Sequence, residues 1–425
     1  MPRIVLTTWG SLGDLHPFLA LAIELRRRGH TAVVATLAAW RENVERAGIE
    51  FRPIRPDVTP EDPASREIVR RILDARGGPE YLFTQVFGPH IKGVYADTLE
   101  AVGGADLLVS HQLPPIASIV VERTGIKWVS GVLAPFGFLS AYDPPTPPQA
   151  PGLRRLLAVH PVAGRVFTGI ARRVTDGWMQ PVYRLRAELG MSRGGHPLFE
   201  GQHSPTTVLA LFSRLLGDKQ PDYPPQTVVT GFPFYDAAPT RPVDPAVLAF
   251  LDAGEAPIVF TLGSSAVWIA DDFYPVSIAA VRALGRRALL LVGEHAHTLR
   301  AQVPDSIGVF DYAPHALVMP RASVVVHQGG VGTTAQALRA GRPTLVVPFG
   351  QDQPDNARRV VHLGVGRTIR RGQYRVDRLV RELTALSAPA YAHRARAVGV
   401  QVGAERGVDR AVDEIEKALG SRFAP

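Results

Sequence analysis

A glycine-rich turn near the carboxyl-terminal end constrains the fold of this chain more than any other feature. Residues 327–338 read His-Gln-Gly-Gly-Val-Gly-Thr-Thr-Ala-Gln-Ala-Leu, after a short apolar run and before a helix-like stretch. Glycine lets the backbone reach positive φ and approach a ligand closely. The free N–H groups at a helix N-terminus attract an anion, most often a phosphate. The order of strand, glycine turn and helix therefore predicts an α/β domain with a phosphate-binding edge.

A second polar signal follows the next apolar run. Pro348 is followed by Asp352, Gln353 and Asn356. An Asp–Gln pair just past a buried strand can bind hydroxyl groups, because a carboxylate accepts hydrogen bonds and an amide both donates and accepts them. Together the two signals predict a ligand that is half diphosphate and half sugar.

Apolar, β-rich runs alternate with segments of helical period along the whole chain. Predicted strands lie at 4–8, 32–36, 107–109, 128–131, 258–262, 288–292, 324–326 and 344–347, and predicted helices at 17–28, 116–124 and 408–419. Strands that are apolar throughout and alternate with helices indicate parallel sheets covered on both faces. We expect two Rossmann-like domains, at 1–235 and 255–407, joined by a proline-containing linker at 236–254.

Three further segments carry weaker signals. The turn Gly10-Ser11-Leu12-Gly13 lacks the spacing of a dinucleotide fingerprint, which disfavours an NAD enzyme. Residues 143–151 are too rich in proline for a helix or a strand, so we expect a semi-rigid loop. Residues 153–189 have a helical period and many arginines, which is typical of an amphipathic helix pair. The alternative is a helix that lies on a membrane surface and receives lipid acceptors.

Composition excludes several classes of protein. The formal charge is +8 over 425 residues, but the basic residues are scattered without interleaved aromatics, so we expect no nucleic-acid partner. That charge leaves room for a weak attraction to anionic membrane surfaces. There is no cysteine, and hence no disulfide or thiolate metal site. Neither a signal peptide nor a long apolar stretch is evident, so we expect a cytoplasmic protein.

Residues 312–356 resemble the donor-binding signature of the family-1, UDP-glycosyltransferase-like glycosyltransferases. The motifs in register are Tyr312-Ala313-Pro314-His315, Gly329-Gly330-x-Gly332-Thr333-Thr334, Gly341-x-Pro343, Pro348, Asp352-Gln353 and Asn356. The bacterial branch of macrolide, glycopeptide, sterol and rhamnolipid enzymes is the most similar, and the resemblance extends to residues 10–17, 29–30 and 261–265. It implies the GT-B fold, in which two parallel sheets face a central cleft and a C-terminal helix, here 408–425, crosses back to the first domain.

The resemblance also implies a set of donor contacts. They are Ser264, Ser265, Tyr312, His315, His327, Gln328, Gly329, Gly330, Gly332, Thr333, Thr334, Gln336, Asp352 and Gln353. Many relatives have histidine where Gln328 stands, which leaves open whether His327 or Gln328 contacts the phosphate. Plant-like relatives have a ribose-binding glutamate where Gln336 stands. Charge-assisted hydrogen bonds are roughly twice as strong as neutral ones, so this chain should use dTDP-sugars at least as well as UDP-sugars.

Three residues are candidates for the acid–base step. Asp14 stands where the glycopeptide- and sterol-type enzymes also have aspartate and where other relatives have a catalytic histidine. His16 is the rival base. His111 follows a predicted strand, at the place of the aspartate that orients the catalytic histidine in relatives, which suggests a dyad with the two residue types exchanged. The alternatives are structural: Asp14 as the N-cap of the following helix, and His111 as a loop residue with a structural hydrogen bond.

We expect from these features an inverting glycosyltransferase that uses a nucleotide-sugar co-substrate and a small hydrophobic acceptor. The chain has no Asp-x-Asp motif, so helix-terminus amides rather than a metal ion or another cofactor are expected to stabilise the departing diphosphate. Candidate acceptor contacts are Phe136, Phe138 and Trp178. Two alternatives are a nucleotide-sugar 2-epimerase of the same architecture, against which the hydrophobic 136–178 segment argues, and a non-catalytic auxiliary protein of a glycosyltransferase, against which Asp14 and the Asp352–Gln353 pair argue.

Overall fold

The computed structural model describes residues 1–59, 62–147, 150–236 and 243–420, with the side chains of 295, 297 and 298 left aside. These residues form two compact units. The first contains Met1–Ile72, Arg76–Ala237 and Arg406–Pro425, and the second contains Ala238–Glu405 together with Leu73–Ala75. Each unit is built around its own parallel sheet.

The first sheet contains seven strands among the described residues, in the order β3-β2-β1-β4-β5-β6-β7. They are β1 Arg3–Thr7, β2 Thr31–Thr36, β3 Glu50–Pro53, β4 Leu107–His111, β5 Lys127–Val132, β6 Thr207–Ala210 and β7 Thr227–Val229. In the central pair, Thr7 of β1 lies beside Ser110 of β4. The carboxyl ends of these two strands therefore lie side by side, and the residues that follow them are brought to one edge of the sheet.

The helices that accompany this sheet are mostly short. They are α1 Leu12–Arg27, α2 Arg41–Arg46, α3 Pro63–Ile72, α4 Gly78–Tyr81, α5 Ile91–Ala101, α6 Ala117–Thr124, α7 Arg154–Leu157, α8 Pro161–Trp178 and α9 Gln180–Glu188, with a π-helical turn at Leu82–Phe87 and a 3-10 turn at Pro135–Phe138. The predicted helix pair over 153–189 is thus divided into α7, α8 and α9. Two residues of the proline-rich 143–151 loop, 148 and 149, lie outside the described residues.

The second sheet contains six parallel strands among the described residues, in the order β10-β9-β8-β11-β12-β13. They are β8 Ile258–Thr261, β9 Ala288–Leu291, β10 Ile307–Phe310, β11 Val324–His327, β12 Thr344–Val346 and β13 Gly366–Thr368. His327 of β11 lies beside Thr261 of β8 and Val346 of β12. The turns that follow these three strands are therefore neighbours.

Eight helices of the second unit follow one another in the described residues. They are α10 Pro245–Asp252, α11 Phe273–Leu284, α12 Ala296–Arg300, α13 His315–Val318, α14 Val331–Arg339, α15 Gln353–His362, α16 Val376–Leu386 and α17 Pro389–Gly403. Residues 237–242 of the predicted 236–254 linker lie outside the described residues, and Pro245–Asp252 of it is helical. A final helix, α18 Gly407–Gly420, belongs to the first unit, and residues 421–425 are outside the described part.

The α18 helix is held on α1 by a charged network. Arg28, just after α1, donates hydrogen bonds to Asp413 at 2.6 Å and to Glu416 at 2.8 Å. His30 lies 2.9 Å from the other oxygen of the Glu416 carboxylate. Gly407 lets the start of α18 approach the backbone of Phe232 closely, because the Cβ of any other residue would lie 2.3 Å from the carbonyl oxygen of Phe232. The last helix is thereby attached to the unit that contains the first strand.

The α/β fold with two parallel sheets is confirmed, and α1 is the main correction to the local predictions. That helix begins at Leu12, five positions before the predicted start, and Pro17 lies inside it. Pro17 is the sixth residue of the helix, so α1 lacks the backbone hydrogen bond that an N–H at this position would donate to the carbonyl oxygen of Gly13. In the described residues, no helix is long and apolar enough to span a bilayer.

Candidate active site

The glycine turn between β11 and α14 forms one edge of the second unit. Gly329 has φ of 94°, a left-handed conformation that favours glycine. Gly330 is the N-cap residue of α14, and no side chain caps this helix. Within the described part of the chain, no side chain accepts a hydrogen bond from the first N–H groups of α14, and such a helix end binds anions.

A buried amide ties this turn to the start of α15. Asn356 Nδ2 donates to the carbonyl oxygen of Gly329 at 2.9 Å and to Asp352 Oδ2 at 2.7 Å. A Cβ on Gly329 would lie 2.7 Å from Val346 Cγ1 and 3.1 Å from the carbonyl oxygen of Gln353. The glycine turn and the Asp352–Gln353 pair are therefore packed as one rigid arrangement.

The amide of Gln353 is less versatile than the sequence indicated. Its Oε1 accepts a hydrogen bond from the backbone N–H of Phe349 at 2.8 Å, and the side chain is 5% exposed. The same oxygen also accepts from the backbone N–H of Gly350 at 3.4 Å, so both of its lone pairs are used within the loop and the amide offers a ligand its donors. Asp352 is half-buried beside it at the N-terminal end of α15. The pair thus combines one acceptor residue and one donor residue.

The two residues that the sequence left open as phosphate contacts occupy different environments. His327 is completely buried, and its Nδ1 accepts a hydrogen bond from the N–H of Gly329 at 3.0 Å. The histidine therefore supports the turn from inside. Gln328 Nε2 lies 3.4 Å from Thr333 Oγ1. A Cβ on Gly330 would lie 3.1 Å from this nitrogen, so the Gln328 amide reaches the start of α14.

The turn after β8 lies beside Gln328. Gly263 has φ of 66°, and a Cβ there would lie 2.5 Å from Gln328 Nε2. Ser264 and Ser265 follow, half-buried, and Ser265 begins a 3-10 turn at Ala266–Ile269. The predicted serines and the predicted glycine turn are therefore brought together through the side chain of Gln328.

Three other predicted donor contacts surround this edge. His315 is the first residue of α13, and its Nε2 lies 3.3 Å from Thr261 Oγ1. Tyr312 is half-buried, two residues past β10. Gln336 is half-buried on α14, and its Oε1 accepts from Arg339 at 3.0 Å. As with Gln353, the oxygen of this amide is engaged by a neighbour.

Several buried polar atoms at this edge have no hydrogen-bond partner within the described part of the chain. They are His327 Nε2, Gln328 Oε1, Thr334 Oγ1 and Asn356 Oδ1. Buried polar side-chain atoms usually have a protein or water partner. Their concentration around the glycine turn marks it as the part of the second unit that is built for polar contacts rather than for a dry core.

The carboxylate of Asp14 lies at the carboxyl end of β1, in the first turn of α1. Its Oδ2 accepts hydrogen bonds from Ser11 N at 2.8 Å and from Ser11 Oγ at 3.0 Å, and Ser11 Oγ in turn accepts from the N–H of Gly13. This is a capping box with Ser11 as N-cap and Asp14 as the third helical residue. The structural alternative of Asp14 as the N-cap is therefore wrong, since Ser11 takes that position.

Within the residues that the structure describes, one oxygen of this carboxylate is engaged and the other is not. Among the described residues, the hydrogen bonds to the Asp14 side chain reach Oδ2, and none reaches Oδ1. The side chain is half-buried. Gly10 is required beside it, because a Cβ there would lie 2.4 Å from Oδ2. One oxygen thus holds the helix start while the other is available to accept a proton.

His111 is the last residue of β4 and is 7% exposed. Burial lowers the pKa of His111, and the negative charge of Asp14 opposes that shift. Asp14 is therefore near enough to act on the imidazole, although its hydrogen bonds go to Ser11. The ring meets the edge of Phe18 at 5.8 Å between centroids. The two members of the predicted dyad are neighbours without a hydrogen bond between them in the described residues.

His16 points its ring elsewhere. It stacks on Tyr235 with centroids 4.9 Å apart and planes 16° apart. Residues two apart on a helix face different directions, so Asp14 and His16 do not share a surface of α1. The rival base is thus engaged in an aromatic pair.

The predicted acceptor contacts lie on two different elements. Phe136 and Phe138 share the 3-10 turn after β5, and both are half-buried. Phe138 stacks on Tyr223 at 3.9 Å and on His203 at 5.4 Å. Trp178 ends α8, and no ring contact joins it to either phenylalanine among the described residues.

Sequence reasoning missed a pair of glutamines beside His111. Gln112 Nε2 donates to Gln202 Oε1 at 2.6 Å and to the carbonyl oxygen of Gly137 at 3.1 Å. Gln202 Nε2 donates to the same carbonyl at 3.1 Å. These bonds hold the turn that carries Phe136 and Phe138. The available signal was the position of Gln112, which directly follows a strand at the edge where ligands of α/β sheets bind.

Two family models match the chain. Residues 4–83 match the glycosyltransferase family 28 N-terminal domain, and residues 277–419 match the C-terminal domain of erythromycin biosynthesis protein CIII-like proteins. An O-mycaminosyltylonolide 6-deoxyallosyltransferase of Streptomyces fradiae is 35% identical over 99% of this chain and 98% of its own length. The glycosyltransferase GtfE of Amycolatopsis orientalis is 29% identical over 98% of both chains.

More distant relatives and solved structures are also similar to the chain. A sterol 3-beta-glucosyltransferase of Arabidopsis thaliana is 28% identical over 86% of this chain and 57% of its own. The crystal structure of the calicheamicin glycosyltransferase CalG4 superposes with a TM-score of 0.70 at 18% identity, covering all of both chains. That of glycosyltransferase VinC in complex with dTDP gives 0.69 at 19% identity, covering 98% and 99%. The two structures support the GT-B architecture.

Two histidines at this edge, the fully buried His327 and the half-buried His315, make the stability of the second unit depend on pH. Burial lowers the pKa of His315 from 6.5 to about 4, and burial with the neighbouring His315 lowers that of His327 to about 3. Below pH 6.5 the unfolded chain binds protons that the folded chain does not, so stability falls as the pH falls towards 4. At pH 5 each histidine should lower the free energy of unfolding by roughly 2 kcal/mol.

The test is urea unfolding at pH 7 and pH 5. The variant His315→Gln keeps a group that can bond Thr261 and removes one titrating site. Between pH 7 and pH 5, the free energy of unfolding of the variant should therefore decrease by about 2 kcal/mol less than that of the wild type. His362→Gln, at an exposed position on α15, should behave as the wild type does. Equal losses in His315→Gln and the wild type would contradict the assignment.

Proposed function

The chain belongs to the glycosyltransferases of the GT-B fold, and on that basis we propose that it transfers a sugar from a nucleoside diphosphate to a hydroxyl of a small hydrophobic natural product, with inversion at the anomeric carbon. The observation that carries the proposal is the rigid arrangement of the uncapped start of α14 and the Asp352–Gln353 pair, joined by Asn356. A helix end for phosphate and an acceptor–donor pair for hydroxyls suit the two halves of a nucleotide sugar.

Gln328 is the proposed side-chain contact of the α-phosphate. It reaches the start of α14, whereas His327 is buried and supports the turn. An amide keeps its N–H donors at every pH, so this contact needs no protonation. The buried polar atoms without partners around the turn support the same location for the diphosphate.

Asp14 is the proposed base of the reaction. The acceptor oxygen attacks the anomeric carbon from the face opposite the diphosphate, and the bond between that carbon and the diphosphate oxygen breaks. The nucleoside diphosphate leaves with the electron pair, and the α14 amides stabilise its charge. The acceptor proton passes to Asp14 Oδ1, the oxygen that Ser11 does not engage. Direct displacement by the acceptor inverts the anomeric configuration.

Relatives indicate the substrate class. The Streptomyces fradiae relative is an O-mycaminosyltylonolide 6-deoxyallosyltransferase, and two similar solved structures, those of SpnG and VinC, are complexes with thymidine diphosphate. We propose a dTDP-sugar as donor and a hydrophobic polyketide, phenol, sterol or lipid as acceptor. The half-buried Phe136 is the proposed acceptor contact in the first unit, with Phe138 fixing its turn through the stack on Tyr223.

Replacing Gly330 should abolish donor binding while leaving the fold intact. Gly330 has φ of −58°, which valine can adopt, but a side chain there would hold the diphosphate away from the helix end. We expect Gly330→Val to weaken dTDP binding at least about 100-fold, equivalent to two charge-assisted hydrogen bonds. Isothermal titration calorimetry with dTDP measures this.

Gly372→Val is the matched control, because nothing lies within 4 Å of a Cβ at that position in the same unit. It should bind dTDP as the wild type does. If Gly330→Val melts normally and keeps wild-type affinity, the diphosphate lies elsewhere.

The role of Asp14 is tested with Asp14→Asn. The asparagine oxygen can still accept from Ser11, so α1 should remain capped, whereas the amide cannot take up a proton. We expect unchanged donor affinity and a kcat about 10²–10⁴-fold lower. The loss should be smallest for acidic phenols, which are partly ionised and need the base least. Turnover of a phenol series, followed by mass spectrometry, gives this comparison.

Variants of the neighbouring histidines separate the roles. His16→Ala should lower kcat much less than Asp14→Asn does, because His16 stacks on Tyr235. His111→Ala should fall between the two, because His111 interacts with the Asp14 charge without a hydrogen bond. If Asp14→Asn converts an unactivated alcohol at nearly the wild-type rate, Asp14 is not the base and His16 becomes the candidate.

Donor choice depends on Gln336. Its amide is uncharged and its oxygen already accepts from Arg339, so it offers the ribose neutral hydrogen bonds in place of those of a carboxylate. We expect kcat/KM for a dTDP-sugar to equal or exceed that for the matching UDP-sugar, and Gln336→Glu to shift the ratio towards UDP by roughly 10- to 100-fold, the worth of one charge-assisted hydrogen bond. A wild-type enzyme that strongly prefers the UDP-sugar would overturn this proposal.

The same assays distinguish the alternatives. A 2-epimerase would convert the donor without any acceptor, which nuclear magnetic resonance of the recovered donor sugar would reveal. An auxiliary protein would show no turnover with any acceptor while still binding a partner transferase.

A further inference from the structure

The outward side of α7 and α8 carries a row of exposed apolar side chains. Its members, which we call the outer row, are Leu156, Val159, Val162, Val166, Ile170 and Val174. The four on α8 are between 53% and 60% exposed, and Leu156 and Val159 are 67% and 78% exposed. The four recur every fourth residue, so they form one stripe along the helix. Single exposed apolar residues are ordinary, but a continuous row marks an interaction surface.

The opposite side of α8 packs against other segments of the first unit, so the outer row cannot turn inward. A Cβ on Gly164 would lie 2.3 Å from the carbonyl oxygen of Ala141, which shows how closely the backbones approach. Thr168 Oγ1 donates to the carbonyl oxygen of Leu139 at 3.3 Å. Thr175 Oγ1 lies 3.2 Å from His196 Nε2. Small and hydroxyl-bearing residues thus face the protein, while the larger aliphatic residues face away from it.

The charges around the outer row are predominantly positive. Residues 151–178 contain five arginines and one aspartate. Arg172 is paired with Glu200, and Arg165 donates to Tyr142 Oη at 2.9 Å. Arg155 and Arg173 are exposed, and neither has an ion-pair partner within the described part of the chain. The lone aspartate, Asp176, is already bonded by Arg193.

This charge distribution decides between the occupants that an apolar helix face could have. A two-fold contact with a second copy would bring Arg155 and Arg173 of one subunit towards the same residues of the other, because such an interface is self-complementary. An anionic surface has the opposite effect, since each arginine near it is attracted. A helix with aliphatic residues on one face and arginines at its border is also the pattern of helices that lie in the membrane interface.

We propose that α7, the turn after it and the outward side of α8 form a docking surface for anionic lipid bilayers. The outer row enters the boundary between headgroups and acyl chains, with α8 parallel to the membrane plane. Arg155 and Arg173 contact lipid phosphates at its border. The proposal concerns the first unit alone and stands whether or not the donor and acceptor assignments above are correct.

Vesicle flotation tests the proposal with the whole chain. We expect the wild type to float with vesicles of phosphatidylcholine mixed with phosphatidylglycerol at low salt, to be partly released by high salt, and to bind vesicles of phosphatidylcholine alone much more weakly. Val166→Asn/Ile170→Asn should lower the partition coefficient at least about tenfold, since two exposed aliphatic side chains no longer enter the interface.

Arg155→Gln/Arg173→Gln should lower binding to the anionic vesicles about 25-fold, or about fivefold for each arginine, and should change binding to neutral vesicles little. Leu248→Asn/Val400→Asn, at exposed apolar positions of the second unit, is the control for the outer row. Arg381→Gln/Arg410→Gln, at exposed arginines elsewhere, is the control for charge. Both controls should float as the wild type does, and all variants should melt normally because the replaced side chains are exposed.

Three results would overturn the proposal. The wild type could stay unbound with both kinds of vesicle, or the outer-row variant could float as well as the wild type. Sedimentation velocity provides the third: if the wild type forms a dimer that the outer-row variant loses, and neither floats, the surface is a contact between copies of this chain.

Discussion

Two hydrogen bonds from the buried amide of Asn356 hold the candidate donor site together. One reaches the carbonyl of Gly329 in the turn after β11, and the other reaches the carboxylate of Asp352 at the start of α15. Leaving a buried acceptor without its donor costs about 1–3 kcal/mol. Gly329 itself has a positive φ, a conformation that favours glycine in this turn. A single side chain therefore sets the distance between the anion-binding helix end and the hydroxyl-binding pair.

The first unit uses one carboxylate in a comparable way. Asp14 closes the capping box of α1 through Oδ2 and leaves Oδ1 for the proposed chemistry. Caps contribute typically about 1 kcal/mol to stability, so the residue is held in place by the helix that it helps to start. His111 lies at the end of the adjacent strand, where its environment is buried and the Asp14 charge reaches it. Parallel pairing of β1 and β4 is what brings these two residues together.

The α8 helix shows why an amphipathic period alone does not tell which side is buried. The pattern over 153–189 is typical of a helix with its apolar side inward. In α8 the inward side is instead narrow and partly polar, with Gly164, Thr168 and Thr175 in contact with neighbouring loops. The aliphatic side faces outward. Close backbone packing needs small residues, so the tight contact at Gly164 decided the orientation.

The sequence by itself determined the α/β class, most central strands and the place of the glycine turn, because these follow from apolar runs, helical periods and glycine conformations within a few residues of one another. It assigned no strand at the four edge positions of the described sheets, β3, β7, β10 and β13, nor at β6, which lies next to the edge strand β7. Only the tertiary structure decided that His327 is buried, that the Gln353 oxygen is engaged, and that Ser11 rather than Asp14 is the N-cap. The reason is physical: a side chain's burial and hydrogen-bond partner depend on packing in three dimensions, as with Asn356 and Gly329, 27 positions apart.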